Sequence, residues 1–372
     1  MRTLRVGERA SASPLSRRAV SKRLAAAGLG LVVVPVVPRA ARAATGEAIY
    51  YTWAGYDVPE FWPAYVEKHG ATPEIPLFAD NEEAFQKIRA GFVVDVTFPC
   101  SSMTPRWRDA GILQPVDTAR LSNWPDVIDE LKVLEGNQFE GAQWFIPIDW
   151  GQTSITYRTD LVDWQGQPES WSLLWDERYA GKLTMLAAAE DAWWCAAIYA
   201  GIDTKNVTED GMAKVRALLK QQRPLLRQYT SDLTSVEQSL ASGELVAAMT
   251  WNSSALQLKN EGVPVRFANP KEGALTWCCG LVLLKDAPHY DKAHDLIDAH
   301  LDPRSGAFEI MEFAYGHSNR KAYDGISDED LAARGLSKNP LEILERGVFV
   351  GPQPPDIEQA INRDWEEIAA GF

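Results

Sequence analysis

The sequence predicts an α/β fold built as two lobes, and two observations carry this prediction. Strand-length apolar runs alternate with amphipathic stretches of helical period, which is typical of α/β proteins. The part of the 372-residue chain that follows residue 43 is about 329 residues long. This length is enough for two units of ~100–200 residues, each with a core of its own.

Each predicted element has a local reason. Strands are predicted where short apolar runs end at turn-forming residues, at 47–53, 93–98, 153–157, 182–186, 245–250 and 280–284. Helices are predicted where apolar side chains recur at helical spacing, at 58–69 and 81–90. Loops are predicted where Pro and Gly cluster, at 165–168, 269–273 and 351–355.

Several polar and aromatic residues lie at or near the ends of these strands. Trp53 ends the first strand, the loop Cys100–Ser102 follows the second, and Trp251 and Trp277 lie near the ends of later strands. Ligands of open α/β sheets bind beyond the carboxyl ends of strands. The shared position therefore predicts a binding site here.

The first 43 residues have the pattern of an export signal. The segment SRRAVSK at 16–22 precedes an apolar run at 24–37 and a small-x-small site at Ala41–Ala43, and its paired arginines resemble a twin-arginine signal. The alternative of a membrane anchor is disfavoured, because Gly and Pro interrupt a run shorter than the ~20 apolar residues of a bilayer span. We expect a soluble periplasmic protein that begins near Ala44.

The charge balance excludes some partners. The whole chain has a formal charge of −14, and residues 1–43 carry nine Arg or Lys against the single acid Glu8. The chain without them is therefore at about −22. Such acidity argues against nucleic acid and anionic membrane surfaces and permits cationic ligands, although it also serves simple solubility.

The four cysteines are too few for a disulfide scaffold, and the spacing of Cys100, Cys195, Cys278 and Cys279 matches no zinc motif. Because twin-arginine export carries folded proteins, we expect these thiols to start reduced. A vicinal disulfide or metal thiolate at Cys278–Cys279 is disfavoured, since a small buried cysteine usually only packs. A thiol pair of Cys100 with this dipeptide stays open.

Seven short segments together resemble a known family. They are YTWAGY at 51–56, DVTFP at 95–99, DAGILQPVD at 109–117, IPIDWG at 146–151, SWSLLW at 170–175, TWNSSA at 250–255 and NPKEG at 269–273. In this order and spacing they resemble spermidine/putrescine-binding proteins over nearly the whole length after residue 43. The resemblance is specific for the family and not for its ligand.

The resemblance implies the two-lobed periplasmic-binding-protein fold, with a hinge and a ligand cleft between the lobes. Such a protein catalyses nothing, needs no cofactor or metal, is expected to be a monomer and delivers its solute to an inner-membrane ABC permease. The implied lobes are residues 44–150 with 276–318, and residues 151–275 with 319–372.

The resemblance also implies the ligand contacts. The aromatic walls are expected at Trp53, Tyr56, Trp251, Trp277 and Tyr315, with Cys100 and Ser102 in a polar loop. Ring faces attract a cation by ~0.5–2 kcal/mol per contact and also cover methylene groups. For each Trp alone the simpler interpretation is core packing, since the chain has 14.

The acids depart from the polyamine pattern. By register, Ala188 and Cys279 occupy two positions where polyamine binders carry acids, and only Asp191 is retained, with Glu190 beside it. The alternative for Asp191 is an exposed acid that favours a helix dipole. Because a buried ammonium needs a paired acceptor, this pattern predicts a ligand with one cationic end, such as a monoamine, a quaternary ammonium compound or 4-aminobutyrate.

Two questions about the site stay open at this level. A zwitterion needs a cationic partner for its carboxylate, and Arg106, His317 and Arg320 are the candidates nearest in sequence. Asp149 is an alternative acid that would restore a negative charge to the cleft.

Other functions are also considered. Thiamine, a cation with aromatic rings, suits the expected walls, whereas iron would favour clustered tyrosines. An exported enzyme is disfavoured because the chain has no H-E-x-x-H pair, no G-x-S-x-G elbow and no phosphate loop after a strand. A thiol enzyme built on Cys100 and His317 is left open.

Overall fold

The structure, a computed structural model, describes residues 46–79 and 81–371. The export signal predicted at 1–43 lies outside the described residues. Within them the strands are β1 Tyr50–Trp53, β2 Leu77–Phe78, β3 Val96–Thr97, β4 Leu113–Gln114, β5 Gln138–Phe139, β6 Ala142–Gln143, β7 Ile146–Arg158, β8 Leu183–Leu186, β9 Leu226–Thr230, β10 Ala247–Trp251, β11 Val265–Phe267, β12 Leu275–Leu284, β13 Gly316–His317 and β14 Val348–Phe349.

The α-helices in the same part of the chain alternate with these strands. They are α1 Pro63–His69, α2 Asn81–Arg89, α3 Thr104–Asp109, α4 Asp129–Lys132, α5 Ala189–Tyr199, α6 Glu209–Gln222, α7 Leu233–Ser242, α8 Asn252–Asn260, α9 Tyr290–His300, α10 Pro303–Phe313, α11 Asp328–Ala333, α12 Leu341–Leu344 and α13 Pro355–Ala370. None of the helices described is long and apolar enough to cross a membrane.

The main sheet has the strand order β2-β1-β3-β12-β7-β10-β8-β9. Pairs near the two ends of this order are parallel, such as β1 with β3 and β8 with β9, whereas β12 pairs antiparallel with both β3 and β7. The long strands β12 and β7 therefore lie side by side in the middle of the sheet and connect its two ends. The α/β fold predicted from the sequence is confirmed.

The hydrophobic clusters explain why successive residues of a strand such as β1 are buried and do not alternate with exposed ones. On β1, Tyr50 packs in a cluster with Phe61 and Leu296, while its neighbour Tyr51 packs in another with Phe78. Both faces of this end of the sheet are thus covered, as is usual for parallel strands. A separate large cluster lies around β8, β10, α5 and α13.

The lobe boundaries stay a prediction, and one packing detail bears on them. Tyr323, Leu331 and Leu344 lie in the cluster of Tyr51, although the sequence prediction assigns 319–372 to the second lobe. Helix α13 packs instead in the cluster around β8 and β10. This packing favours a chain that returns to the second lobe only after Leu344.

The predicted strands differ most from the structure around residue 150. The prediction begins a strand at 153, but β7 already begins at Ile146 and runs for 13 residues. Pro147 and Gly151 both lie inside this strand. Pro147 lies at a register shift against β12, and Gly151 lies where the indole of Trp277 leaves no room for a Cβ. Trp277 correspondingly lies inside β12, two residues after its first residue Leu275 and thus near its amino end.

Candidate functional site

Trp53 and Tyr56 lie together at the carboxyl end of β1. The indole Nε1 of Trp53 donates to the carbonyl oxygen of Phe98 at 2.8 Å, which fixes the ring beyond the strand end. A turn with Gly55 at φ 93° follows, a value that favours glycine. The ring of Tyr56 stacks on Phe61 with centroids 5.1 Å apart. Both predicted aromatic residues are half-buried.

The hydroxyl of Tyr56 donates to Oδ2 of Asp149, which is fully buried on β7. Burial raises the pKa of Asp149 to about 6. The structure therefore places this acid, the alternative considered from the sequence, directly beside a predicted wall of the cleft.

Cys100 and Cys279 form a disulfide between the loop after β3 and strand β12. The expectation that these two thiols are reduced is therefore wrong. The vicinal-bridge hypothesis fails for the same reason, because Cys279 bonds to Cys100 while Cys278 is a free, buried thiol. Half-buried Ser102 follows in a 3-10 turn, Ser101–Met103.

The disulfide also removes the proposed thiol nucleophile. Its candidate base, His317, is fully buried, and its Nε2 lies 3.1 Å from the carbonyl oxygen of His300. Burial lowers the pKa of His317 to about 4, so the ring is neutral at pH 7.

Asp191 and Trp251 meet through Thr153 of β7. Trp251 is the last residue of β10 and pairs with Thr153, whose Oγ1 donates to Oδ1 of Asp191 at 2.9 Å. Asp191 is only 8% exposed, so the alternative of an exposed helix-terminal acid is wrong. Burial raises its pKa to about 6, and hydrogen bonds from Thr153 and Trp251 oppose that rise.

Trp277 and Tyr315 lie between Asp149 on one side and Asp191 on the other. Their rings are nearly perpendicular, with centroids 4.9 Å apart. The hydroxyl of Tyr315 lies 3.3 Å from Oγ of Ser253, in the first turn of the helix that follows Trp251. Burial raises the pKa of Tyr315 strongly, and the charges of Asp149, Glu309 and Asp191 raise it further. Tyr315 is thus within electrostatic range of the acids at both ends.

Strand register explains this convergence. Asp149, Gly151 and Thr153 alternate along one face of β7, and they pair with Cys279, Trp277 and Leu275 of β12. Trp251 pairs with Thr153 from the other side. We use the name cleft cluster for the following residues, in which Ser102 is included because its turn follows Cys100: Trp53, Tyr56, Cys100, Ser102, Asp149, Asp191, Trp251, Trp277, Cys279 and Tyr315.

The other polar residues weighed from the sequence have partners outside this cluster. Arg106 donates to Glu82 at 2.7 Å and to Glu358 of α13 at 2.8 Å. Arg320 is exposed and donates to the carbonyl oxygen of Val127 at 3.1 Å. With His317 neutral, none of the three predicted cations is placed to take a ligand carboxylate.

At the start of α5, Ala188 is the half-buried residue that precedes the helix. Glu190 is exposed, and its Oε2 accepts a hydrogen bond from Nδ2 of Asn81 at 3.2 Å. Only Asp191 of these three positions therefore presents a buried carboxylate to the cluster.

Sequence reasoning missed Glu309. This residue of α10 is fully buried, and the pKa of its carboxyl is raised well above the ordinary value by burial and by the charge of Asp149. Its Oε2 lies 4.0 Å from Nε2 of His317, which pairs with Asp149 through β13. The sequence around Glu309 does not distinguish it from an ordinary helix acid. Its proximity to His317 and Asp149 depends on β13 pairing with β7, which brings together residues far apart in the chain.

Metal binding finds no support in the described part of the chain. No group of three or more His, Cys, Asp or Glu side chains there is arranged to hold a metal ion.

A change of Asp191 to asparagine tests the burial of its carboxyl. Because its pKa rises from 3.8 to about 6 on folding, the folded state holds a proton that the unfolded state has released. The protonated carboxyl of Asp191 therefore contributes to the free energy of unfolding below pH ~4, and this contribution is lost as the pH rises through ~6. The total change is on the order of 3 kcal/mol. Urea unfolding from pH 3.5 to 7.5 should show a smaller fall in stability for Asp191→Asn than for the wild type. If the stability of both proteins falls equally with pH, the carboxyl of Asp191 does not have a raised pKa.

A sequence model of the family described as bacterial extracellular solute-binding protein matches residues 64–329, more than half of the chain. The chain belongs to this family. Members are the non-catalytic, solute-binding components of transport systems. The protein is thus a periplasmic solute-binding component of a transport system and is not an enzyme.

Several curated proteins of this family are similar to the chain. The putrescine/agmatine-binding protein of Pseudomonas aeruginosa is 28% identical over 345 residues, which cover 86% of this chain and 91% of that protein. The putrescine-binding periplasmic protein PotF of Escherichia coli is 26% identical over 338 residues, covering 86% and 90%.

Solved structures share the fold. A putative spermidine/putrescine ABC transporter protein from Listeria monocytogenes has a TM-score of 0.76 at 18% identity, covering 86% of this chain and 98% of that chain. The spermidine/putrescine substrate-binding protein of Streptococcus pneumoniae has a TM-score of 0.72 at 19% identity, covering 87% and 98%. The predicted two-lobed binding-protein fold is confirmed.

Proposed function

We propose that the solute is a small organic amine, bound in its cationic form by the cleft cluster. The observation that carries the proposal is the buried carboxylate of Asp191 beside Trp251. A carboxylate this buried is stabilised by a cationic partner, and the neighbouring indole offers a ring face to the same charge. Trp277 and Tyr315 would cover the methylene part of the ligand.

The charges around the cluster favour an amine over a zwitterion. Arg106 and Arg320 bind other groups, and His317 is neutral, so the three candidate partners for a ligand carboxylate are engaged elsewhere. The relatives named above bind putrescine or agmatine according to their names, and both are cationic amines. We therefore place 4-aminobutyrate behind simple amines as the solute.

The site residues have separate roles in this proposal. Asp191 binds an ammonium group, Trp251, Trp277, Trp53 and Tyr56 provide ring faces, and Tyr315 closes the cleft through Ser253. The disulfide of Cys100 with Cys279 holds the loop that carries Ser102. Closure of the two lobes around the solute would present the complex to the permease.

A thermal-shift panel tests the proposal. The panel contains putrescine, agmatine, butylamine, spermidine, choline, 4-aminobutyrate and thiamine. A ligand at about 100 times its Kd adds about 2.7 kcal/mol of apparent stability. We expect a shift with at least one simple amine and none with 4-aminobutyrate. A shift with thiamine alone, or with the zwitterion alone, would contradict the proposal.

A further inference from the structure

Two buried carboxyl groups lie at the end of the cleft cluster away from Asp191. Asp149 and Glu309, here called the acid pair, are both fully buried. Oδ2 of Asp149 accepts from Tyr56, but its Oδ1 and both oxygens of Glu309 have no hydrogen-bond donor among the described residues. Unsatisfied carboxylate oxygens in a protein interior cost several kcal/mol, so they require a proton or a cation.

A shared proton meets that requirement when no ligand is bound. Two adjacent carboxyl groups cannot both ionise at little cost, and one proton between them supplies the missing donor. The pKa of both groups is raised by burial, and the charge of Asp149 raises that of Glu309 further. Glu309 is therefore the member that holds the proton.

The surroundings provide no compensating positive charge. The ionisable groups that face the pair are Tyr50, Tyr56, Tyr315, Tyr323, Cys278 and His317. Five of these are neutral acids whose pKa values are raised, and the pKa of His317 is lowered to about 4. A ligand ammonium would thus be the natural counter-ion.

The spacing of the acids sets the length of such a ligand. Asp149 and Thr153, whose hydroxyl binds Asp191, are four residues apart on one face of β7, so their Cα atoms are about 13 Å apart at ~3.3 Å per residue. Carboxyl groups held above these two positions, with one hydrogen bond of about 2.8 Å at each end, leave roughly 7 Å between two nitrogens. An extended chain of four or five carbon atoms spans this distance. Trp277 lies over Gly151, midway between the two acids.

We infer that the acid pair Asp149–Glu309 is a second cation subsite, in which an ammonium group of a short diamine replaces the shared proton. This inference rests on the proposed function and narrows its solute to diamines of about putrescine length. No covalent change occurs. One N–H···O contact replaces the O–H···O contact, and the proton leaves to solvent.

The exchange has a definite pH dependence. The free acid pair holds one proton and the occupied pair holds none, so binding releases up to one proton. The affinity for a diamine therefore rises with pH, by at most tenfold per pH unit, over the range in which the free pair is protonated. A monoamine bound only at Asp191 leaves the pair protonated and lacks this dependence.

Calorimetric titration of the protein with putrescine and with butylamine tests the inference. Titrations at pH 7 in buffers of different ionisation enthalpy report the protons released. We expect putrescine to bind at least tenfold more tightly than butylamine and to release protons, while butylamine releases none through this pair. Glu309→Gln and Asp149→Asn should each remove the preference and the proton release.

Two controls separate the possible failures. Glu312→Gln changes an exposed acid of the same helix and should behave as the wild type. Asp191→Asn should weaken both amines while putrescine still releases protons. Equal affinities for the two amines without proton release would overturn the inference and leave the proposed function standing. Absence of binding by either amine to the wild type would overturn both.

Discussion

Replacing Trp251 with alanine should abolish the ligand-dependent rise in thermal stability and leave the ligand-free fold intact. Trp251 ends β10 half-exposed, and its side chain interacts with Asp191. Its loss removes both a ring face and a partner of the carboxylate that we propose binds the ammonium group. We expect at least a hundredfold loss of affinity, about 2.7 kcal/mol. Thermal unfolding with and without putrescine measures this.

Trp175→Ala is the matched control for this change. Like Trp251, Trp175 is half-buried and packs against the hydrophobic core around β8 and β10. Its Nε1 donates to the carbonyl oxygen of Leu218 at 2.9 Å, and Trp175 is not part of the cleft cluster. It should lose some stability and keep the full ligand response. If Trp251→Ala keeps the response, Trp251 is not part of the site.

Removing the disulfide by Cys100→Ala with Cys279→Ala should lower the free energy of unfolding by about 2–5 kcal/mol. The bond joins residues 179 apart in sequence, so it restricts a long loop of the unfolded chain. Guanidinium unfolding of the wild type and of the double variant measures the difference. Reductant should destabilise the wild type by a similar amount.

The double variant also provides the control for the reductant, which should leave its stability unchanged. A wild type that is insensitive to reductant under fully denaturing and refolding conditions would contradict the pairing. A free-thiol count then decides between the two thiols expected from Cys195 and Cys278 and the four of a reduced chain.

Local pattern was enough to place the aromatic ends of strands. Trp53 and Trp251 were predicted at strand ends because a short apolar run precedes each, and both end β1 and β10. The strand of Trp277 was predicted to begin only at 280, because the two cysteines and the glycine that follow Trp277 carry no strong strand signal.

The acids of the site were harder to predict, because burial depends on contacts far apart in sequence. Glu309 and Glu312 belong to one helix and look alike locally, yet one is fully buried and the other exposed. Likewise, the sequence left open whether Cys100 pairs with the Cys278–Cys279 dipeptide, and the pairing of β12 with β3 brings Cys279 to Cys100. Long-range strand pairing decides both cases.

The charge pattern of the site also changes the expected ligand. From the sequence, the loss of acids at 188 and 279 pointed to a solute with one cationic end. The structure places Asp149 opposite Cys279 on the neighbouring strand, with Glu309 close by. Position 279 therefore carries no acid, but the residue paired with it on the neighbouring strand does.

The most direct test of this account is a calorimetric comparison of putrescine with spermidine on the wild-type protein at pH 7. The account predicts at least tenfold tighter binding of putrescine, because Asp149 and Thr153, the partner of Asp191, are only about 13 Å apart along β7. Acids held at these two positions accommodate a short diamine and leave the third amine of spermidine without a partner. Tighter binding of spermidine would contradict it.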